Sequence, residues 1–388
     1  MKNSADARII SGWKARFIRF QISIHILDCA LRASGNIVKA LSLVRKISDT
    51  RRQFKGLKDN FKLLKADGRY FISENFPGWP SEAFTSFINN EISMLMNPGA
   101  GKKLTTVIFA ITSRCRLGCR HCYEWHNIAS AEKLSYEDLS GIVKKLKGNG
   151  VRHIQISGGE PLERFEDLLR LIEETGTGCE TWLLTSGYGL TPEKAVQLKQ
   201  AGLTGADISL DSFDESEHNK SRNNPESFFW AKEAARNCRN AGIVVSLSLC
   251  AFRDFVSYDN LRRYAELAIE WQAGIVRILD PREAGRFKDQ EVSLDEDLIR
   301  ILESFYTDMT GSRESIRYPI FTYPGYHQRR SGCAGAGQRY IYIDSAGEIH
   351  ACPFCQRSAG NALSTDIGEA LGILSGYGCQ KFKMNHSV

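Results

Sequence analysis

The sequence lacks a long apolar run. Its longest stretch without a charged residue is the thirteen residues 240–252, whereas a membrane-spanning helix needs roughly 18 or more apolar residues. No spanning segment is expected. No apolar segment directly follows the first methionine, which argues against a secretory signal. There is no internal repeat of fixed period and no low-complexity tract, and with 42% hydrophobic and 25% charged residues wholesale disorder is excluded. The 388 residues suggest two or three domains, or one large barrel with smaller attachments. One residue type is abundant instead: cysteine, at eleven. The cysteines cluster, and clustering in a chain without an export signal points to metal rather than disulfides. A cytoplasmic location is expected.

Negative charge is scarce at the start. Residues 1–65 hold 15 Lys/Arg against 4 Asp/Glu, a local charge of +11 within a total of +6, so the remainder is mildly acidic. Trp13, Phe17, Phe20, Ile24, Leu27 and Leu31 recur at 4-3-4-3-4 spacing, one stripe of a helix. Phe20, Ile22, Ile24 and Ile26 also alternate as a strand would, but six matches outweigh four, and a helix is predicted. Further helical pattern runs from about Ile37 to Leu64. Such a segment is a solvated helical extension packed on the body, or a surface for anionic lipid or an acidic partner. It carries no aromatic-interleaved nucleic-acid motif, so no nucleic acid is expected as a partner.

After the breaker cluster Asn97-Pro98-Gly99-Ala100-Gly101, strands and helices alternate. Strands are predicted at Leu104–Thr112, Arg152–Ser157, Thr181–Thr185, Asp207–Leu210, Ile243–Cys250 and Ile275–Leu279. Between them lie helices capped by Ser135 and Thr191, one after Pro161, and those at Glu226–Asn240 and Tyr258–Glu270. Six such units imply a parallel sheet with right-handed crossovers, and a ligand site at the C-terminal strand ends.

Just past the first strand stands Cys115-Arg-Leu-Gly-Cys119-Arg-His-Cys122. Three thiolates can hold three irons of an iron–sulfur cubane, leaving the fourth open as a catalytic metal requires. A zinc site completed by His121 or His126 is the alternative. The second strand ends in Ser157-Gly158-Gly159-Glu160-Pro161. Its glycines admit close backbone approach, and its carboxylate can bind an ammonium group. In isolation it would also make an ordinary turn before a helix.

These features together resemble the radical S-adenosylmethionine enzymes. The resemblance covers about residues 104–285 and implies a partial (β/α)6, TIM-like barrel, an α/β fold. It implies that Cys115, Cys119 and Cys122 bind a [4Fe-4S] cluster whose open iron chelates S-adenosylmethionine. Gly158, Gly159 and Glu160 would hold the cofactor's amino group. Ser209 and Asp211 resemble the family's ribose and carboxylate contacts, and Arg222 the arginine that pairs with the methionine carboxylate. Tyr123 stands where an aromatic commonly lies near the adenine. The third strand ends in Thr185-Ser186-Gly187, where many relatives have Thr-Asn-Gly, and no role carries over to Ser186. The implied chemistry is reductive cleavage of the sulfonium to a 5′-deoxyadenosyl radical, with electrons from a ferredoxin- or flavodoxin-type donor.

Near the C-terminus Cys333 precedes a strand pattern Arg339–Ile343, a turn at Asp344–Gly347, a short strand to His350, and Cys352-Pro-Phe-Cys355; Cys379 follows later. Alone, this suits a zinc knuckle. Beside the upstream motif it resembles the SPASM and Twitch extensions of the same superfamily, which implies one auxiliary iron–sulfur cluster on Cys333, Cys352, Cys355 and Cys379. The expected layout is a basic, mostly helical extension over 1–100, the barrel over 104–285, a helical linker over 286–330 and the cysteine-rich extension over 331–388. The opposing functional class is a zinc-stabilised binding module without catalysis. Within the enzyme class the expected substrate is a peptide. A lipid, isoprenoid or other small molecule at the membrane surface is the alternative, with peripheral membrane contact through residues 1–65. Asp280, Glu283 and Tyr323 are candidate acids or hydrogen donors by location alone.

Overall fold

A computed structural model describes residues 7–55, 62–97, 104–312, 314–333, 335, 337–377, 379 and 381–382. The first elements are β1 (Arg8–Ile10), α1 (Gly12–Ser34), α2 (Ile37–Lys55), β2 (Leu63–Ala66), β3 (Arg69–Phe71) and α3 (Glu82–Met96). The predicted helix over the stripe is α1. Of the helix predicted to run to Leu64, the described part of α2 reaches Lys55, residues 56–61 lie outside the described residues, and Leu63 and Leu64 lie in β2 rather than in a helix. The reason is local: Asp67 and Gly68 both adopt positive φ, +50° and +72°. They form the two-residue turn of a β2–β3 hairpin. β1, β2 and β3 make an antiparallel three-stranded sheet.

The body then alternates: β4 (Thr106–Ala110), α4 (Tyr136–Gly148), β5 (His153–Ser157), α5 (Phe165–Thr175), β6 (Glu180–Thr185), α6 (Pro192–Ala201), β7 (Gly205–Ser209), α7 (Glu215–Arg222), α8 (Ser227–Asn240), β8 (Val244–Cys250), α9 (Tyr258–Glu270) and β9 (Ile275–Leu279). Side-chain caps set the helix starts. Ser135 and Asp138 form a reciprocal capping box on α4, and Thr191 caps α6. The chain continues through α10 (Glu296–Gly311), β10 (Ile320–Thr322), α11 (Pro324–Ser331), β11 (Tyr340–Ile343), β12 (Glu348–His350), β13 (Ser358–Asn361) and α12 (Ile367–Tyr377).

β4 to β9 pair in parallel in chain order, the expected α/β, TIM-like arrangement. Two further strands join: β10, not foreseen as a strand, continues the sheet in parallel beyond β9, and β11, foreseen as a strand over Arg339–Ile343 but not as a partner of β4, pairs in parallel with β4 at the other edge. β12 and β13 then add antiparallel. The stretch read as a helical linker thus contributes a strand. At the N-terminal strand ends Leu64, Phe71, Trp182, Val244, Ile275 and Ile320 form one buried cluster. Trp182 fills the space above Gly205, where a Cβ would lie 2.7 Å from its ring. That end is plugged, and the opposite end carries the loops that matter for chemistry.

Candidate active site

The loop leaving β4 presents Cys115, Cys119 and Cys122, with Cys119 buried and the other two half-buried. It is held from three sides. Gly118 and Arg120 amides donate to the carbonyls of Arg222 and Ser221 at the end of α7, at 3.2 and 3.0 Å. Gly159 and Glu160 amides after β5 donate to Thr112 and Arg114 carbonyls at 2.8 and 2.7 Å. Arg286 after β9 donates its amide to the Cys122 carbonyl at 2.9 Å, and its Nη1 to the Gly118 carbonyl at 2.7 Å. The approach after β5 demands glycine: a Cβ on Gly159 would sit 2.2 Å from the Arg114 oxygen. Here the two glycines press against the cysteine loop.

Burial pushes the Cys115 and Cys122 thiols up to about 12 and raises Cys119 as well, with Arg222 opposing the rise at Cys119. Three thiolates in such a pocket require added positive charge, which iron provides. The nearby cation, Arg222, is already committed. Its Nε lies 2.8 Å from Asp211 Oδ2, its Nη2 donates to Oδ1 at 3.0 Å, and its Nη1 donates to Cys119 Sγ at 3.7 Å. Arg222 therefore holds the Asp211 carboxyl well below its ordinary range despite burial. Ser221 Oγ also donates to Asp211, and the Asp211 amide donates to His218 Nδ1, both at 3.0 Å. A single zinc draws its donors to about 2.0–2.3 Å from one point. Among the described residues no three His, Cys, Asp or Glu side chains converge that way. His121 faces Asp211 at 3.8 Å and His126 is exposed. The donor set suits a polyatomic cluster spread between thiols better than one ion.

Glu160 is 1% exposed, and burial raises its carboxyl above the ordinary range. Its Oε1 accepts from Thr185 Oγ1 at 2.7 Å and Leu162 N at 3.3 Å. Its Oε2 accepts from Ser186 N at 2.8 Å and Ser186 Oγ at 2.5 Å. Those four donors match a carboxylate's four lone-pair directions. Glu160 therefore ties the β5 loop to the end of β6. Sequence reasoning assigned Ser186 no role; the signal was a hydroxyl at the strand end beside a buried acid. Ser209 sits half-buried at the C-terminal end of β7. Tyr123 donates weakly to Ser157 Oγ at 3.5 Å and packs edge-on against Tyr342 and Phe354, at 5.7 and 6.3 Å between ring centroids. It thereby joins the first cysteine loop to the C-terminal hairpin. Glu124, also unforeseen, is buried beside it and accepts from Tyr342 and Ser345 hydroxyls.

The second cysteine group gathers around Tyr340, whose phenol is raised well above its ordinary range by burial, with Cys352, Cys333 and Cys355 adding to the rise. Cys352 Sγ donates to Cys355 Sγ at 3.5 Å, and this contact holds the Cys355 thiol below its ordinary range. Gln328 Nε2 donates to Cys333 Sγ at 3.8 Å. Cys379 accepts from Phe382 N at 3.4 Å, and the Phe382 carbonyl takes the Cys333 amide at 3.2 Å, so that segment lies against Cys333. Asp280 accepts from Tyr323 OH and Arg329 Nη1, both at 2.7 Å, and Glu283 accepts from Ser293. Burial beside Asp280 raises the Tyr323 phenol, so this trio braces α11 against β9. Cys29, Cys179, Cys238 and Cys250 are buried and unpaired in disulfides.

Residues 109–268 match the radical SAM superfamily. The chain belongs to that superfamily. It is 30% identical over 264 residues to the mycofactocin maturase MftC of Mycolicibacterium smegmatis, which covers 66% of each protein. It is 34% identical over 121 residues to a GTP 3′,8-cyclase of Campylobacter fetus, 30% of this chain and 37% of that one. The chain thus spans about a third and about two thirds of the lengths of these two curated relatives. Its radical SAM fold matches Streptococcus suis SuiB bound to the precursor peptide SuiA, with a TM-score of 0.59, 17% identity and coverage of 90% of this chain and 82% of SuiB. It also matches anSMEcpe with bound AdoMet and a Cp18Cys peptide, at a TM-score of 0.55 and 17% identity, over 73% of this chain and 84% of that one.

Proposed function

We propose that this radical SAM protein uses S-adenosylmethionine and an iron–sulfur cluster held by Cys115, Cys119 and Cys122 to abstract hydrogen from a peptide. One observation carries the reading. The three thiols sit together at the C-terminal mouth of β4, pinned by the loops after β5, β7 and β9, in a pocket where thiolates need a cationic partner. Bound there, the [4Fe-4S] cluster and cofactor supply reductive sulfonium cleavage to methionine and a 5′-deoxyadenosyl radical. The chain's own work is positioning. Arg222 and Asp211 fix one wall of the cysteine loop, Gly158, Gly159 and Glu160 fix the opposite one, and Ser209 and Tyr123 complete the cofactor's surroundings. Cys333, Cys352, Cys355 and Cys379 hold an auxiliary cluster, and a low-potential ferredoxin- or flavodoxin-type protein supplies electrons. A peptide substrate is supported by the maturase relative and by the peptide-bound fold neighbours. A small molecule or lipid is the second reading, favoured by the GTP cyclase relative and by the exposed apolar face of α1.

Anaerobic reconstitution followed by a 5′-deoxyadenosine assay tests the core. Cys115→Ala, Cys119→Ala and Cys122→Ala should each reduce 5′-deoxyadenosine formation at least a hundredfold, an order of magnitude set by the loss of one of three ligands. A single variant retaining the parent's rate with a low-potential donor overturns the assignment.

A further inference from the structure

Of the apolar stripe of α1, Leu27 packs against the body, and the other five residues face outward. Trp13 is 73% exposed, Phe20 62%, Phe17 54%, Ile24 51% and Leu31 39%. The helix packs through its other side, using Ala15, Ile22, Cys29 and Ala30. The start of α2 adds Ile37, Val38 and Leu41, all exposed, with Val38 at 71%. An apolar face of this extent marks an interaction surface. Its electrostatics select the partner. Residues 12–55 carry ten Lys/Arg and two Asp. Both aspartates pair within their own helix, Asp28 with Arg32 at 3.0 Å and Asp49 with Arg45 at 3.8 Å. At 100° per residue, Arg16 falls on one flank of the stripe and Lys14 and Arg32 on the other.

We infer that the α1–α2 hairpin docks this protein on an anionic lipid bilayer. The aromatic and aliphatic side chains enter the headgroup–acyl boundary while the flanking cations meet lipid phosphates. A second copy of this chain fits poorly, because a two-fold contact would set one basic face against its duplicate. The face is also convex on a helix, whereas protein ligands of amphipathic helices present a groove. α2 also packs on α11, so the hairpin is braced against the body rather than free of it. The inference stands independently of the cofactor assignment.

The test is flotation of full-length protein with phosphatidylcholine vesicles, with and without about 30% phosphatidylglycerol. Binding is expected with the anionic vesicles at low salt and should fall at about 0.5 M salt, where the Debye length shrinks to a few ångströms. Trp13→Ser combined with Phe17→Ser and Phe20→Ser should weaken binding by roughly tenfold or more per aromatic removed. The side chains are exposed, so this variant should keep the parent's circular dichroism and melting midpoint. Full-length protein that ignores anionic vesicles, or a folded triple variant that binds as well as the parent, overturns the inference. So does a dimer that the triple variant dissociates while neither form binds vesicles, which would assign the face to a second copy.

Discussion

Asp211 is the residue on which the cysteine loop's far wall depends. With its partner it forms a buried ion pair, and removing one member of such a pair costs about 3–5 kcal/mol, because a charge is left unpaired in low dielectric. Asp211→Asn should lower unfolding stability by about that amount in urea, whereas an exposed pair such as Arg300–Asp297 should contribute under about 1 kcal/mol. The buried histidines make a second, pH-dependent statement. Burial, with Arg277 adding, drives His153 down to about 3, and burial with Arg222 drives His218 down to about 4. A depressed histidine stays neutral in the fold while the unfolded chain takes up a proton. Stability is therefore fully present above about pH 6.5 and is lost as pH falls through the window below it. Each pH unit in that window costs up to about 1.4 kcal/mol per histidine. His153→Leu should flatten the pH dependence between 6.5 and 4, as urea midpoints across that range would reveal. An unchanged slope would mean that His153 is protonated in the fold.

At the scale of elements, the regular β/α body was legible because local signals agree there. Ser257 caps α9, and α9 and β9 match their predicted spans. The cysteine and Gly-Gly-Glu-Pro loops were legible because their residue types have few other uses at that spacing. Pairing across hundreds of residues was not: nothing local to Tyr340–Ile343 says that it lies beside β4. Nor could periodicity say which face of α1 meets solvent, because Ile18, Ile22 and Ile26 supply a second apolar side that the body uses. The segment Arg282–Arg286 clamps the first cysteine loop through the Arg286 amide and guanidinium. Gly285 has φ +58°, and a Cβ there would lie 2.2 Å from the Cys122 carbonyl oxygen. Gly285→Ala combines a left-handed conformation with a backbone clash, so the clamp must shift. The expected result is less than half the parent's iron at the first site after reconstitution, with helical content retained. Full iron uptake by Gly285→Ala would show that the clamp does not position the thiols.

For the whole molecule, the C-terminal region behaves as part of the barrel rather than as an appendage. β11 completes the sheet against β4, the strand that delivers Cys115, and the Arg339 carbonyl takes the amides of Thr105 and Thr106 at 2.9 and 3.1 Å. The buried Glu124 carboxylate, two residues past Cys122, depends on Tyr342 and Ser345 hydroxyls from that hairpin. Tyr123 leans on Tyr342 and Phe354 in the same place. Truncation after residue 330 would strip the β4 edge of its partner and leave a buried carboxylate without those donors, at roughly 1–3 kcal/mol for each lost bond. Losses of that size compare with the total stability of a domain, about 5–15 kcal/mol. The truncated chain should therefore be mostly insoluble. Any soluble fraction should unfold without a sharp transition and fail to take up iron at Cys115, Cys119 and Cys122, although it keeps all three. Soluble yield, a urea melt and iron content measure this together. A truncated protein that unfolds cooperatively and reconstitutes four irons at the first site would show that the two cysteine groups are separable modules and that the shared sheet does not couple them.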